Sequence, residues 1–292
     1  MEQKKFMDIV RYGHRDTHGV LNEGDYIAIM EKLDGANASF CLSEDGKEVL
    51  AFSRNRQLDE ENDLRGFYWW VKENINPNSI LSGHIYFGEW LVKHKVDYGI
   101  NGGQQFYLFD VFSVEENEYL PISFVVREAY RIKLQLAPIL YAGPYRGYDH
   151  LSQFVNRSAL AENGEGIVVK NYDYRDRYGK QLFIKLVTDK FVEIQPRHQN
   201  QPSGQEGQYI KTFMTSARVE KLLLKLVDEG ILDEQFGIED MGTILRNLGT
   251  RVYDDILKEE TPPQDFDEKA ARRAIGKHLP LMVKEIINDR NK

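Results

Sequence analysis

Lys32 is the residue in this chain best placed for covalent chemistry. It stands in Glu31-Lys32-Leu33-Asp34-Gly35-Ala36-Asn37, directly after the apolar run Tyr26-Ile27-Ala28-Ile29-Met30. That run predicts a strand, and Gly35 permits a sharp turn and a close approach of backbone to a ligand. A lysine so placed is an ion-pair partner or, once stripped of its proton, a nucleophile. The free side chain titrates at roughly 10.4. Attack on a phosphate therefore needs neighbouring positive charge, a metal ion or desolvation to favour the neutral amine. The product would be a phosphoramidate, and the group leaving a nucleoside triphosphate would be pyrophosphate. Catalysis of that kind is mainly positioning and charge neutralisation. It asks for cations for the phosphates, carboxylates for a divalent metal, an aromatic face for a base and a carboxylate for the ribose.

The chain offers each of these at the end of a predicted strand. Arg54, in Ser53-Arg54-Asn55-Arg56, follows an apolar strand and can hold a phosphate or a ribose oxygen, or simply form a surface ion pair. Glu89 follows Gly88, with Trp90 and Lys93-His94-Lys95 nearby. Glu165 lies between Gly164 and Gly166, ahead of Ile167-Val168-Val169, which suits a metal or a sugar hydroxyl beside open backbone. Phe109-Asp110 puts a ring and a carboxylate on a buried strand, where Phe109 is either a stacking face or plain core. Lys170 and Lys185 have strand-like flanks, and a lysine there is expensive unless paired. Arg11, His14, Arg15 and His18 cluster before the first clear strand, as a solvated approach segment or as substrate contacts.

The elements that must hold these residues are mostly strands over 26–195. Ala38–Leu42 and Val49–Phe52 form a hairpin around Ser43-Glu44-Asp45-Gly46-Lys47. Residues 64–75 have helical periodicity, as do 123–135 and 149–160, with a Gly/Pro/Tyr-rich loop at 142–149. Phe106–Phe112 is apolar on both alternating faces and predicts a strand buried on both sides. Residues 164–170 and 182–187 read as a strand pair. Pro196–Gln205 has no apolar residue and reads as a linker. Beyond it the pattern is helical: Ser216–Glu229, Met241–Leu257, and Asp265–Ile287 with Asp265 as its cap and Pro280 as a kink or break. The domains expected are therefore 1–205 and 206–292. With 292 residues, 41% hydrophobic and 29% charged, the composition is that of a soluble globular protein of two domains. A single cysteine, Cys41, excludes an intramolecular disulfide and a cysteine zinc cluster. It fits a reducing intracellular, cytoplasmic setting and reads as a buried small hydrophobe. No apolar run is long enough to cross a membrane. The net charge of −8 excludes a generic nucleic-acid coat, though a local basic surface can still bind nucleic acid.

In this order the pieces resemble the covalent nucleotidyltransferase superfamily of ATP-dependent RNA and DNA ligases and messenger-RNA capping enzymes. Lys32-Leu33-Asp34-Gly35 looks like the nucleophile motif, Arg54 like the arginine motif and Gly88-Glu89 like the third. Phe109-Asp110 looks like the base-stacking motif, Glu165-Gly166-Ile167-Val168 like the fourth, and Ile184-Lys185 like the fifth. Within the superfamily the resemblance is to RNA ligases of the phage RNA ligase 2 type. Glu31, Asn37, Ser53–Arg56 and a helical C-terminal domain where DNA ligases carry an OB barrel point there. Two departures stand out. Asp34 replaces a histidine frequent in phage relatives, and Val187 occupies the place of a second lysine in the fifth motif, with Lys190 the next candidate.

The resemblance implies an α+β fold: an ATP-grasp-like nucleotidyltransferase domain of antiparallel sheets with flanking helices, followed by a small all-α domain. It implies an ATP-dependent RNA ligase, with Lys32 bearing AMP, Glu31 and Asn37 lining the adenine and phosphate sides of the pocket, and Arg54 contacting AMP and the end being joined. Glu89 would bind the ribose, Phe109 stack on adenine, Glu165 help hold a metal and Lys185 contact the AMP phosphate. The cofactors implied are ATP and Mg2+, with Mn2+ able to substitute. The partners implied are RNA ends in nicked duplex or structured RNA, met by a monomer in the cytoplasm of a bacterial host or its phage. Lys211, Arg218, Lys221 and Lys225 would help recognise nucleic acid, or form a solvated helix face. The alternatives are an ATP-dependent DNA ligase, a capping-type guanylyltransferase and a non-catalytic nucleotide- or RNA-binding module.

Overall fold

The computed structural model describes residues 4–99, 104–188 and 205–290. It divides into two compact units, Met1–Thr188 and Asp189–Lys292. Lys190 and most of the expected linker lie outside the described residues.

The first unit is built on two sheets. The strands are β1 (Val10–Arg11), β2 (Tyr26–Lys32), β3 (Ala36–Leu42), β4 (Val49–Ser53), β5 (His84–Leu91), β6 (Gln105–Ser113), β7 (Glu118–Tyr119), β8 (Gln135–Leu136), β9 (Ile139–Pro144), β10 (Gly166–Lys170) and β11 (Phe183–Val187). The first sheet runs β1-β11-β10-β2-β9 and the second β4-β3-β5-β6-β7, with β8 beside β6. Pairing is antiparallel except for β1 with β11 and β8 with β6.

The first sheet is covered on both faces, which is why β2 and β10 read as nearly unbroken apolar runs. Ala28, Met30, Val168 and Phe183 share one core with Phe6, Phe87, Phe112 and Tyr119. Ile27, Ile29, Ile167, Val169 and Ile184 form a second core with Leu151 and Phe154 of α3 (Tyr148–Val155). The second sheet is covered by α1 (Phe67–Asn74), whose Phe67 and Trp70 rings meet Trp90 and Phe106. On α2 (Ile122–Arg131), Ile122, Val125 and Ala129 are buried in the same core. Cys41 is buried, and burial pushes its thiol up to about 11, as suits a core residue rather than a nucleophile. Part of the expected loop at 142–149 is instead the end of β9. Pro144 is tolerated there because β9 is an edge strand, where a missing donor breaks no ladder.

The second unit is helical: α4 (Gln205–Phe213), α5 (Ser216–Asp228), α6 (Met241–Glu259) and α7 (Glu268–Arg290) around one apolar core. Thr215 caps α5 by accepting from the Arg218 amide. The cap of α7 is Asp267, which accepts from the Lys269 and Ala270 amides; the expected Asp265 lies before it in a left-handed conformation. Pro280 does not break α7. Ile275 and Leu279 before it and Val283 and Ile286 after it are all buried in the one core, and that burial offsets the lost backbone bond. Arg218 is no surface cation either. Its side chain is fully buried, bonded to Asp255 at 2.8 Å and Glu260 at 3.2 Å, while Lys221 bonds Asp255 at 3.1 Å. Among the described residues no helix is long and apolar enough to cross a membrane.

Candidate active site

Side chains alternate along β2, so Ala28, Met30 and Lys32 point toward the second sheet. Gly166 is the cross-strand partner of Lys32. A Cβ on Gly166 would stand 2.1 Å from the Leu186 carbonyl oxygen, and its φ of +153 is one that side chains disfavour. The glycine thus lets β10 begin against β11, and the residue before it, Glu165, reaches Lys32: Nζ donates to Oε2 at 2.5 Å. Burial alone would favour the neutral amine. The charge and hydrogen bond of Glu165 above all, joined by Asp34, outweigh it and hold the ammonium above its ordinary pKa. The ligand-free lysine is therefore charged, the reverse of what a nucleophile needs.

The turn after Lys32 is pinned from two sides. The Asp34 carboxylate accepts from the Lys95 and Val96 amides at 2.8 Å each, and its own amide donates to the Tyr98 hydroxyl at 2.7 Å. His94 Nδ1 lies 3.5 Å from the same carboxylate. Burial works to raise Asp34, but His94, the Val96 amide and Lys32 together hold it below the usual carboxylate range. The Gly35 amide donates to Glu89 Oε1 at 3.0 Å, and a Cβ on Gly35 would stand 2.6 Å from the Trp90 carbonyl oxygen. Tyr98 and His94 had no signal in the sequence that tied them to Asp34, because both lie in an irregular segment some sixty residues away.

Glu89 pairs across the second sheet with Asn37 on β3 and Tyr107 on β6. Directly paired residues project on one face, so Asn37, Glu89 and Tyr107 form a row facing the Lys32 side. Burial pushes Glu89 up to about 8, against the pull of Lys32 and His94. Phe109 lies where the β5–β6 register slips between Phe87 and Gly88. Such a bulge re-aims a side chain. The Phe109 ring packs edge-on against Phe6 at 4.8 Å. Lys170, fully buried, donates to the Phe109 carbonyl oxygen at 2.7 Å and to Asp110 at 2.8 Å, and Tyr172 donates to the other Asp110 oxygen.

Lys32, Glu165, Glu89 and Asn37 are thus brought together, and Lys185, on the same face of the first sheet as Val168, acts on Glu165 through its charge. The Glu31 carboxylate accepts from Ser158 Oγ at 2.5 Å and the Ala159 amide at 2.8 Å, and its charge acts on Tyr107 in the row of Glu89. Arg54, at the end of β4, is bonded to Asp8 at 2.6 Å. Among the described residues no group of three or more His, Cys, Asp or Glu could hold a metal. Magnesium is usually held by one or two carboxylates together with substrate phosphates, and Glu165 can supply one of them.

The RNA ligase family model matches residues 25–187, more than half of the chain and all of this site. The chain belongs to the RNA ligase family. Solved structures that resemble the RNA ligase family fold of this chain include a point mutant of the Naegleria gruberi RNA ligase with ATP and Mn. That structure is 16% identical with a TM-score of 0.52, covering 65% of this chain and 57% of the other. The Naegleria gruberi RNA ligase with PPi is 19% identical with a TM-score of 0.48, over the same shares of the two chains. Both matches leave more than a third of the Naegleria chain unmatched. No curated protein matches the sequence.

Proposed function

We propose that this protein is an ATP-dependent RNA ligase of the RNA ligase 2 type. It joins a 3′-hydroxyl to a 5′-phosphate through a lysyl-AMP intermediate and an adenylated 5′ end. Lys32 Nζ attacks the α-phosphorus of ATP; a P–N bond forms, the bond to the β-phosphate oxygen breaks and pyrophosphate leaves. The observation that carries the reading is Lys32 held 2.5 Å from Glu165 inside the family-matched segment. Glu165 is positioned to take the lysine proton, which the resting ion pair retains. A divalent metal held by Glu165 with the nucleotide phosphates would supply positive charge that favours the neutral amine. The Naegleria ligase solved with ATP and Mn supports that choice of ligands. Asn37 and Glu89 offer polar groups to the ribose, Phe109 offers its ring to adenine, and Lys185 offers its ammonium to the α-phosphate. Arg54 would exchange Asp8 for AMP or for the RNA end. AMP then passes to the 5′-phosphate, and the 3′-hydroxyl displaces it. Residues 206–292 would contribute to RNA recognition rather than to lysine adenylation.

Intact mass before and after incubation with ATP and magnesium tests the first step. A gain of one AMP is expected, absent with GTP and lost in Lys32→Ala. A variant that still gains AMP would remove Lys32 from the mechanism, and a gain with GTP instead would make this a capping-type enzyme.

A further inference from the structure

The solvent face of α7 carries cations with no acid among them. Asp and Glu outnumber Lys and Arg by 46 to 38 in the whole chain, yet neither occurs anywhere from Lys269 to Lys284. At 3.6 residues per turn, Arg273, Lys277, Leu281 and Lys284 fall within about 80° of one another around the helix. All four are exposed, Leu281 by 64%. Ala271, Ile275, Leu279 and Ile286, on the other side, are buried in the core of the unit. The acids that flank the stretch do not neutralise it. Glu268 is bonded to Arg272 at 2.8 Å, and Glu285 is turned about 120° from Arg273. Among the described residues, Arg273, Lys277 and Lys284 form no ion pair and no side-chain hydrogen bond. α4 adds Lys211: together with burial, Lys211 and Lys277 hold His278 below its ordinary pKa, so the two ammonium groups converge on one imidazole.

The charge pattern says what such a face is for. Like charges four residues apart on a helix, as in Arg273 and Lys277, destabilise it, and an anionic partner removes that cost. Gly276 lies on the same side, and a Cβ there would meet nothing within 4 Å. Glycine is disfavoured inside a helix relative to alanine, and no neighbour requires it here. It leaves bare backbone beside Arg273 and Lys277, where a ligand chain can come close. From Arg273 to Lys284 the helix rises about 16 Å, so the cations follow a run of anions rather than one. A polyanion with condensed counterions is the partner such a row binds best, since each neutralised phosphate releases them. A lipid surface fits less well, because the apolar side of α7 is occupied by its own core and cannot enter a membrane. Within the RNA ligase family to which the chain belongs, the polyanion is RNA, and Leu281 among the cations offers an apolar contact to a ribose.

We propose that Arg273, Lys277 and Lys284 of α7, with Lys211 of α4, bind the sugar–phosphate backbone of the RNA being joined. This deepens the ligase reading and rests on its assignment of RNA recognition to the helical unit. The test follows a labelled nicked RNA duplex by fluorescence anisotropy over a range of salt, with the full-length protein. Wild type is compared with the triple variant Arg273→Gln/Lys277→Gln/Lys284→Gln and with Gly276→Glu. The triple variant should bind at least tenfold more weakly, and the slope of log affinity against log salt should fall by about 2–3, at roughly 0.7–0.9 per lost phosphate contact. Gly276→Glu removes no cation and suits a helix better, so it should weaken binding without lowering the unfolding temperature. No binding of RNA by wild type, an unchanged affinity or salt slope in the triple variant, or wild-type affinity in Gly276→Glu would overturn the assignment. Binding of anionic lipid vesicles, or self-association of the protein, that depends on these residues while RNA binding does not would overturn it as well. Should wild type bind RNA through this face yet form no lysyl-AMP with ATP, the ligase reading falls and the RNA surface stands.

Discussion

Glu89 is an acid that burial keeps protonated near neutral pH. Its carboxyl is pushed up to about 8, against roughly 4.3 for an exposed glutamate. Between those values the folded protein binds a proton at this position that the unfolded chain has released. Stability therefore falls as pH rises through that window, since the unfolded state holds fewer protons there. The ligand-free protein should lose unfolding temperature from pH 5 to pH 8 more steeply than Glu89→Gln does; parallel curves would show that Glu89 is charged throughout. The same residue shows what was legible at this scale. Lys32 ends β2, Glu165 directly precedes β10 and Glu89 lies two residues before the end of β5, so alternation along three strands could aim them at one pocket. Alternation also turns the Glu31 carboxylate toward Ser158 and Ala159, from where its charge still acts on Tyr107 in the row of Glu89. The fixed charge of Lys32 was not legible, because it depends on Glu165, which is distant in sequence and close in space.

At the scale of elements, the device that joins the two sheets is the Lys170–Asp110 pair. Its side chains are 2% and 0% exposed, and Tyr172 completes the hydrogen bonding of Asp110. The pair also fixes the Phe109 carbonyl, and with it the bulge that sets the Phe109 ring. A buried ion pair adds little net stability, but breaking it leaves an uncompensated charge and costs about 3–5 kcal/mol. Lys170→Met should therefore destabilise the first unit by about that amount in urea unfolding. Lys170→Met with Asp110→Leu should recover most of it while leaving nucleotide affinity impaired, because the bulge carbonyl stays unbound. Full recovery of both would separate Phe109 from this pair. From sequence alone Lys170 stands out as a lysine too costly for an apolar strand unless paired, yet its partner sixty residues earlier could not be named. Strand positions were legible because β2, β6 and β10 are buried on both faces and carry few polar interruptions. β9 was hidden by the Gly143-Pro144 ending that marks it as an edge. In the helical unit, spacing suggested that Arg218 and Lys221 face solvent or nucleic acid. The acids of α6 that draw them in, Asp255 above all, belong to a contact between helices and not to a pattern along one.

The two units have separate apolar cores. Those of the first are formed by residues up to Leu186 and that of the second by residues from Tyr209 onward. The residues proposed for lysine adenylation all belong to the first. The cations of the second unit that could have met RNA are partly spent inside it: Arg218 is buried, Lys221 is bonded to Asp255, and Arg251 is bonded to Glu229. On the proposed reading, a part in joining ends would fall to other surface of that unit and not to adenylation chemistry. A chain ending at residue 205 should unfold cooperatively and gain AMP on Lys32 at close to the full-length rate, while its joining of a nicked RNA falls at least tenfold. The comparison needs both readouts on one preparation, AMP gain by mass and ligated product on a gel. Equal loss of the two in a cooperatively folded truncation would mean that the helical unit serves the lysine itself, and the division of labour between the units would have to be abandoned.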